Sequence, residues 1–264
     1  MKEVDFSELR ERLERVISKY ERLRREGGVV FSFPSGKGGV GKTTVTVNLA
    51  AALALRGKRV LAVDLNFALP NLHMFLDERP EYTFTHFLSG KAEFSESVGK
   101  VHVGDVSFDV SPAESLVDFG DRIEIERLYS AIPVLKSVYD YILLDVSPGL
   151  SKYVLYSIKS SDHVFVVSAD VRPAYADALK VSKLVTSLGV PNEGFIVNMV
   201  QSRELNYFKH MGVFAVIPHD EMLKKATQNG RTIFHQKFSR ILSHSRKVFE
   251  KMAEEIVTRY TPQL

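Results

Sequence analysis

Ser35-Gly36-Lys37-Gly38-Gly39-Val40-Gly41-Lys42-Thr43-Thr44 places two glycines, a lysine and a hydroxyl at the offsets G-x-x-x-x-G-K-[ST], directly after a short apolar run and at the start of a helical pattern. The chemistry of such a segment is anion capture. Without Cβ atoms the glycines let backbone N–H groups turn inward around phosphate oxygens, and the helix N-terminus adds its positive end. Lys42 then reaches the β- and γ-phosphates, and the Thr43 hydroxyl is placed to bind Mg²⁺.

The elements that must hold this loop are legible in the apolar spacing. Val29 to Phe33 reads as a buried strand closed by Pro34, just ahead of the loop. Further strands are expected over Arg59 to Leu65, Val106 to Ser111, Tyr141 to Val146, His163 to Ser168, Gly194 to Val200 and Val213 to Ile217. Helical patterns fall between them at Lys42 to Arg56, Arg122 to Tyr139, Ala174 to Leu188 and Glu221 to Gln228, with a closing helix over Ser239 to Tyr260. Strands apolar throughout belong to a parallel sheet covered on both faces. The expected fold is therefore α/β, doubly wound, with a mainly parallel sheet and helices on both faces.

Residues 1–27 differ from the rest. Phe6, Leu9, Leu13, Val16, Tyr20 and Leu23 follow one another at alternating three- and four-residue steps among Glu and Arg, the stripe of one long amphipathic helix that Gly27-Gly28 ends. The chain thus divides into an N-terminal helix, 1–27, and one domain, 28–264.

Lys37, just after the first glycine, makes the loop resemble the deviant Walker A loop of the MinD/ParA family of P-loop ATPases, in its MinD-like and FlhG-like branch. The similarity extends over 28–260. Val60 to Asn66 with Leu69-Pro70-Asn71-Leu72 looks like the family's switch I strand and loop, and Tyr141 to Leu150 like its Walker B and switch II. Val216-Ile217-Pro218-His219-Asp220 looks like its late strand–Pro–Asp element. The resemblance implies a P-loop NTPase fold that binds ATP or ADP with Mg²⁺ through Gly36, Lys37, Gly38, Gly39, Val40, Gly41, Lys42, Thr43 and Thr44. It implies that Thr43, Asp64 and Asp145 face the metal, that Lys37, Lys42, Asp64 and Asn66 stand at the catalytic positions, and that the Gly149 amide approaches the γ-phosphate.

By the same likeness Lys37 reaches the partner subunit's nucleotide in an ATP-dependent homodimer, and Asn198, Pro218 and Asp220 hold the adenine. A strand-end turn would equally explain Asn198, and a helix N-cap Asp220. One departure stands out. The family carries Asp-x-Asp after its second strand, whereas this chain reads Asp64-Leu65-Asn66. An amide cannot take a proton or supply negative charge as a carboxylate does, so Asn66 predicts slow turnover and a long-lived ATP state. The expected function is a slow switch ATPase; the alternatives are an essentially non-hydrolysing ATP-binding regulator and a metabolic ATP-dependent ligase or kinase of the same fold.

Composition narrows the choice. The chain has 264 residues with 45% hydrophobic and 25% charged, the proportions of a folded globular protein, and a formal charge of +3 that argues neither for nor against nucleic acid. With Cys 0, iron–sulfur carriers, nitrogenase-reductase relatives and the zinc-paired targeting branch fall away. No apolar run of spanning length and no signal-peptide pattern is present, so a cytoplasmic location is expected. Only Thr261-Pro262-Gln263-Leu264 follows the closing helix, so membrane association of the MinD type is not expected. Arg240, His244, Arg246, Lys247 and Lys251 are interleaved with Glu250 and Glu254, which suits a solvated helix face and gives nucleic-acid binding no support. The N-terminal stripe fits a regulatory protein partner or self-association, or packing on its own domain.

Overall fold

A computed structural model describes residues 27–116, 123–236 and 238–262, and the expected N-terminal helix lies outside the described residues. In chain order the elements are β1 (Val29–Ser35), α1 (Lys42–Ala54), β2 (Val60–Leu65), α2 (Phe84–Leu88), β3 (Gly99–Val103), β4 (Val106–Ser111), α3 (Arg127–Val138) and β5 (Tyr141–Pro148). There follow α4 (Lys152–Lys159), β6 (His163–Ala169), α5 (Arg172–Ser187), β7 (Asn192–Val200), β8 (Val213–Pro218), α6 (Glu221–Gln228), α7 (Ser239–Leu242) and α8 (His244–Arg259). The strands form one sheet in the order β3-β4-β2-β5-β1-β6-β7-β8. Every pairing is parallel except β3 with β4.

Strand residues alternate between two cores because successive side chains point to opposite faces. Val30, Leu61, Val63, Ile142 and Leu144 pack under α3, α4 and α5, while Phe31, Phe33, Ala62 and Leu143 pack under α1 and α8. Both faces being covered is what made these strands read as unbroken apolar runs. Helix α1 is the innermost: nearly every residue from Val45 to Ala54 is buried, and small Ala50, Ala51 and Ala52 allow close approach of the sheet and α8. Truncating Leu49 or Leu53 there would cost about 2–5 kcal/mol.

Three sequence expectations change. Helix α3 starts at Arg127, with Arg122 outside the described residues. The closing helix is two: Ser243 leaves helical geometry (φ −90°, ψ 120°) and its hydroxyl accepts the Arg246 N–H, so α8 restarts with its own N-cap. Strand β3 and helix α4 were not expected. Strand β3 is an edge strand whose alternation, Val101 and Val103 inward and Lys100 and His102 outward, is not an apolar run. No helix among the described residues is long and apolar enough to cross a membrane.

Because β1, β2, β5, β6, β7 and β8 run the same way, their C-terminal ends share one rim of the sheet. Open α/β sheets bind ligands in the crevice at that rim.

Candidate functional site

The loop after β1 occupies the middle of this rim. Gly39 (φ 77°) and Gly41 (φ 89°) take left-handed backbone, and a Cβ on Gly41 would stand 2.2 Å from the Asn198 Nδ2. Gly41 is also the N-cap of α1, where no side chain caps the helix and its first turn holds no acidic residue. The first-turn N–H groups and the positive end of α1 are therefore open to an anion.

Lys42 is 7% exposed, and among the described residues no carboxylate lies within ion-pair distance of it. Burial lowers the pKa of its ammonium, and the Asp145 charge only partly restores it. A buried cation held this way is costly in the absence of an anion. Lys37, in contrast, is exposed at the loop surface.

Thr43 donates its hydroxyl to Asp145 Oδ2 at 2.6 Å, while Asp145 Oδ1 is buried with no hydrogen-bond partner. Asp145 and Asp64 are cross-strand neighbours in the β2–β5 register. Burial pushes both carboxyls above their ordinary range; the adjacent Asp145 charge adds to this for Asp64, and Thr43 and Lys42 pull Asp145 partly back. Two buried carboxylates side by side favour a cation, and an orphaned oxygen beside a hydroxyl fits the all-oxygen donor set of Mg²⁺. Among the described residues no cluster of three or more His, Cys, Asp or Glu could hold a metal, so such an ion would complete its shell from phosphate and water.

The geometry of Asp64 differs from the expectation of a metal-facing group. Its Oδ1 accepts the Asn66 N–H at 2.9 Å, and its Oδ2 accepts the Asn71 and Leu72 N–H groups, both at 3.0 Å. The carboxylate is turned into the loop after β2 because three backbone donors converge there. Asn66 sits at the start of this loop, 8% exposed, donating Nδ2 to the Leu69 carbonyl at 2.6 Å.

Gly149 has left-handed backbone (φ 83°), and its N–H donates to the Ser35 carbonyl at 2.9 Å. The end of β5 is thereby tied to the start of the phosphate loop.

Beside the loop lies a cavity of about 230 Å³ lined by Gly41, Thr44, Asn198, Pro218, His219 and Thr227. Thr227 Oγ1 is buried without a hydrogen-bond partner and is a free polar group in this wall. Asn198 is a brace as well as a wall: Nδ2 donates to the Val40 carbonyl at 3.0 Å and Oδ1 accepts the Met199 N–H at 2.9 Å. Asp220 lines the cavity, but its side chain is fully engaged elsewhere. Oδ1 accepts the Met222 and Leu223 N–H groups as the N-cap of α6, and Oδ2 accepts the Ser243 hydroxyl and the Ser245 N–H. The N-cap alternative for Asp220 is thus the one its hydrogen bonds satisfy. Sequence reasoning did not single out Thr227, His219 or Met199; the left-handed backbone of Met199 (φ 58°) has no signature in its residue type.

A glycine turn opening an uncapped helix, a buried lysine and a Thr–Asp oxygen pair at the rim of this strand order define a P-loop protein of the doubly wound class. The chain belongs to the CobQ/CobB/MinD/ParA nucleotide-binding domain family, which matches residues 31–233. It is 31% identical over 210 residues to an uncharacterized ATP-binding protein of Methanocaldococcus jannaschii, covering 76% of this chain and 78% of that one. It is 29% identical to the septum site-determining protein MinD of Thermotoga maritima, over 87% of this chain and 88% of that protein. Among solved structures, MinD of Pyrococcus horikoshii complexed with Mg-ADP superposes with a TM-score of 0.76 at 28% identity, covering 87% of this chain and 96% of that one.

Proposed function

We propose that this protein is a switch ATPase that binds ATP with Mg²⁺ at the loop from Gly36 to Thr44 and hydrolyses it slowly. The observation that carries the reading is the buried Lys42 ammonium, with no carboxylate in ion-pair distance among the described residues, beside the open N-terminus of α1. A polyphosphate satisfies both at once. The Mg-ADP complex of the horikoshii relative supports the same ligand here.

Thr43 and Asp145 would hold the magnesium ion, whose charge neutralises the phosphate oxygens. The cavity at Asn198, Pro218 and Thr227 takes the base, with the backbone at Asp220 rather than its carboxylate forming the wall. Lys37, exposed at the loop surface, reaches the nucleotide of a second copy, so that dimerisation depends on ATP. Asn66 leaves the site one carboxylate short of the family pattern, which slows turnover. A regulatory protein, engaged in the cytoplasm through residues 1–27, would read the closed state.

Steady-state ATP hydrolysis by the wild type and by Asn66→Asp, with light scattering in ATP and in ADP, tests the reading. Dimers only in ATP and a faster Asn66→Asp variant support it. A monomer in both nucleotides, with equal rates, overturns it.

A further inference from the structure

Loops that follow the second strand of nucleotide switches are commonly ordered by the γ-phosphate and its metal and released when these leave. In this chain the corresponding loop, 66–72, carries its own set of internal hydrogen bonds. Three of its N–H groups, of Asn66, Asn71 and Leu72, converge on the Asp64 carboxylate. Two side-chain amides, Asn66 Nδ2 at 2.6 Å and Asn71 Nδ2 at 2.9 Å, converge on the single carbonyl of Leu69. The next turn is closed by the Met74 N–H on the Asn71 carbonyl at 3.1 Å. None of these bonds requires a nucleotide.

We propose that Asn66 is a positioning residue that presets this loop, so that its conformation does not report the nucleotide state. The side-chain chemistry is decisive. An amide at 66 can donate to the Leu69 carbonyl; a carboxylate there would set one acceptor against another at the same short distance and add a charge beside buried Asp64. Asn66 is buried enough that this clash is not relieved by water, and its Oδ1, which has no hydrogen-bond partner, shows that the donor end of the amide is the end in use. Asn66 therefore clamps the loop in a way that a carboxylate at the same position could not.

The inference goes beyond the slow-ATPase reading, and hydrogen exchange of the peptide 64–76 separates the two. Wild type, Asn66→Asp and Asn66→Ala are compared without nucleotide, with Mg-ADP and with a non-hydrolysable Mg-ATP analogue, with bound nucleotide quantified in each sample and folding checked by thermal melting. The expected result is the same slow exchange of the wild-type loop in all three states. In both variants the nucleotide-free exchange is about tenfold faster, the effect of losing one such bond, and it now slows when the analogue binds. A merely structural role would accelerate exchange equally in every state. Wild-type exchange that slows several-fold on analogue binding overturns the proposal, and so do variants whose nucleotide-free loops exchange like the wild type. If no nucleotide binds, the ATPase reading fails while the nucleotide-free comparison still decides the clamp.

Discussion

The Asn198 side chain donates to the carbonyl of Val40 at 3.0 Å, so the end of β7 braces the phosphate loop from a strand two places away in the sheet. The same amide leaves no room for a side chain at Gly41. Gly41→Ala would meet both a left-handed backbone and this steric wall, at a cost of about 1–3 kcal/mol. Asn198→Ala would strip the buried Val40 carbonyl of its donor, costing about 1–3 kcal/mol. Thermal melting and titration with fluorescent ATP should show both variants less stable, with Gly41→Ala losing nucleotide binding.

Lys42→Met should separate stability from binding. The wild-type ammonium is buried, burial lowers its pKa more than the Asp145 charge restores it, and no carboxylate among the described residues lies within ion-pair distance. Replacing it with an apolar chain of similar length removes a desolvation cost, so the nucleotide-free variant should melt at or above the wild-type temperature. Its nucleotide affinity should fall by about 100-fold or more, the loss of a desolvated charge–charge contact worth roughly 3 kcal/mol.

Lys37→Ala should do the opposite. The side chain is exposed and makes no hydrogen bond or ion pair among the described residues, so melting temperature and monomer nucleotide affinity should stay within a few-fold of wild type. Light scattering in ATP should then report monomers where the wild type gives dimers.

Asp220 sets an acid limb on stability. Burial acts to raise its pKa, but the Ser243 hydroxyl and the N–H groups of Leu223, Ser245 and Met222 outweigh that and hold the carboxyl below its ordinary range. The contribution is therefore fully present above the ordinary aspartate pKa, about 4, and is lost as pH falls through the lower folded value. Asp220→Asn should cost about 1–2 kcal/mol at pH 7, and urea midpoints of the two proteins should converge as pH falls well below the ordinary aspartate range.

Much of the rim was legible because its chemistry depends on fixed offsets. Gly41, Lys42 and Thr43 form the motif only when consecutive, and Asp145 lies near the end of the expected apolar run, Tyr141 to Val146. Asp64 and Asn66 were legible as positions but not as geometry. Their partners are backbone N–H and C=O groups of residues 66–72, which every residue carries and no residue type announces. The split of the last helix was hidden for a related reason: Ser243 is fixed by Asp220, 23 residues earlier, and sequence periodicity sees only local neighbours. Strand β3 was not legible because it alternates along a sheet edge and presents no unbroken apolar run.

The bond from the Gly149 N–H to the Ser35 carbonyl leaves that amide with no spare proton to offer. Any ligand group that sought this donor would have to displace the Ser35 carbonyl, at a cost of roughly 0.5–1.5 kcal/mol. The segment from Pro148 to Leu150 accordingly works as a threshold, yielding only to a ligand that outbids its own backbone.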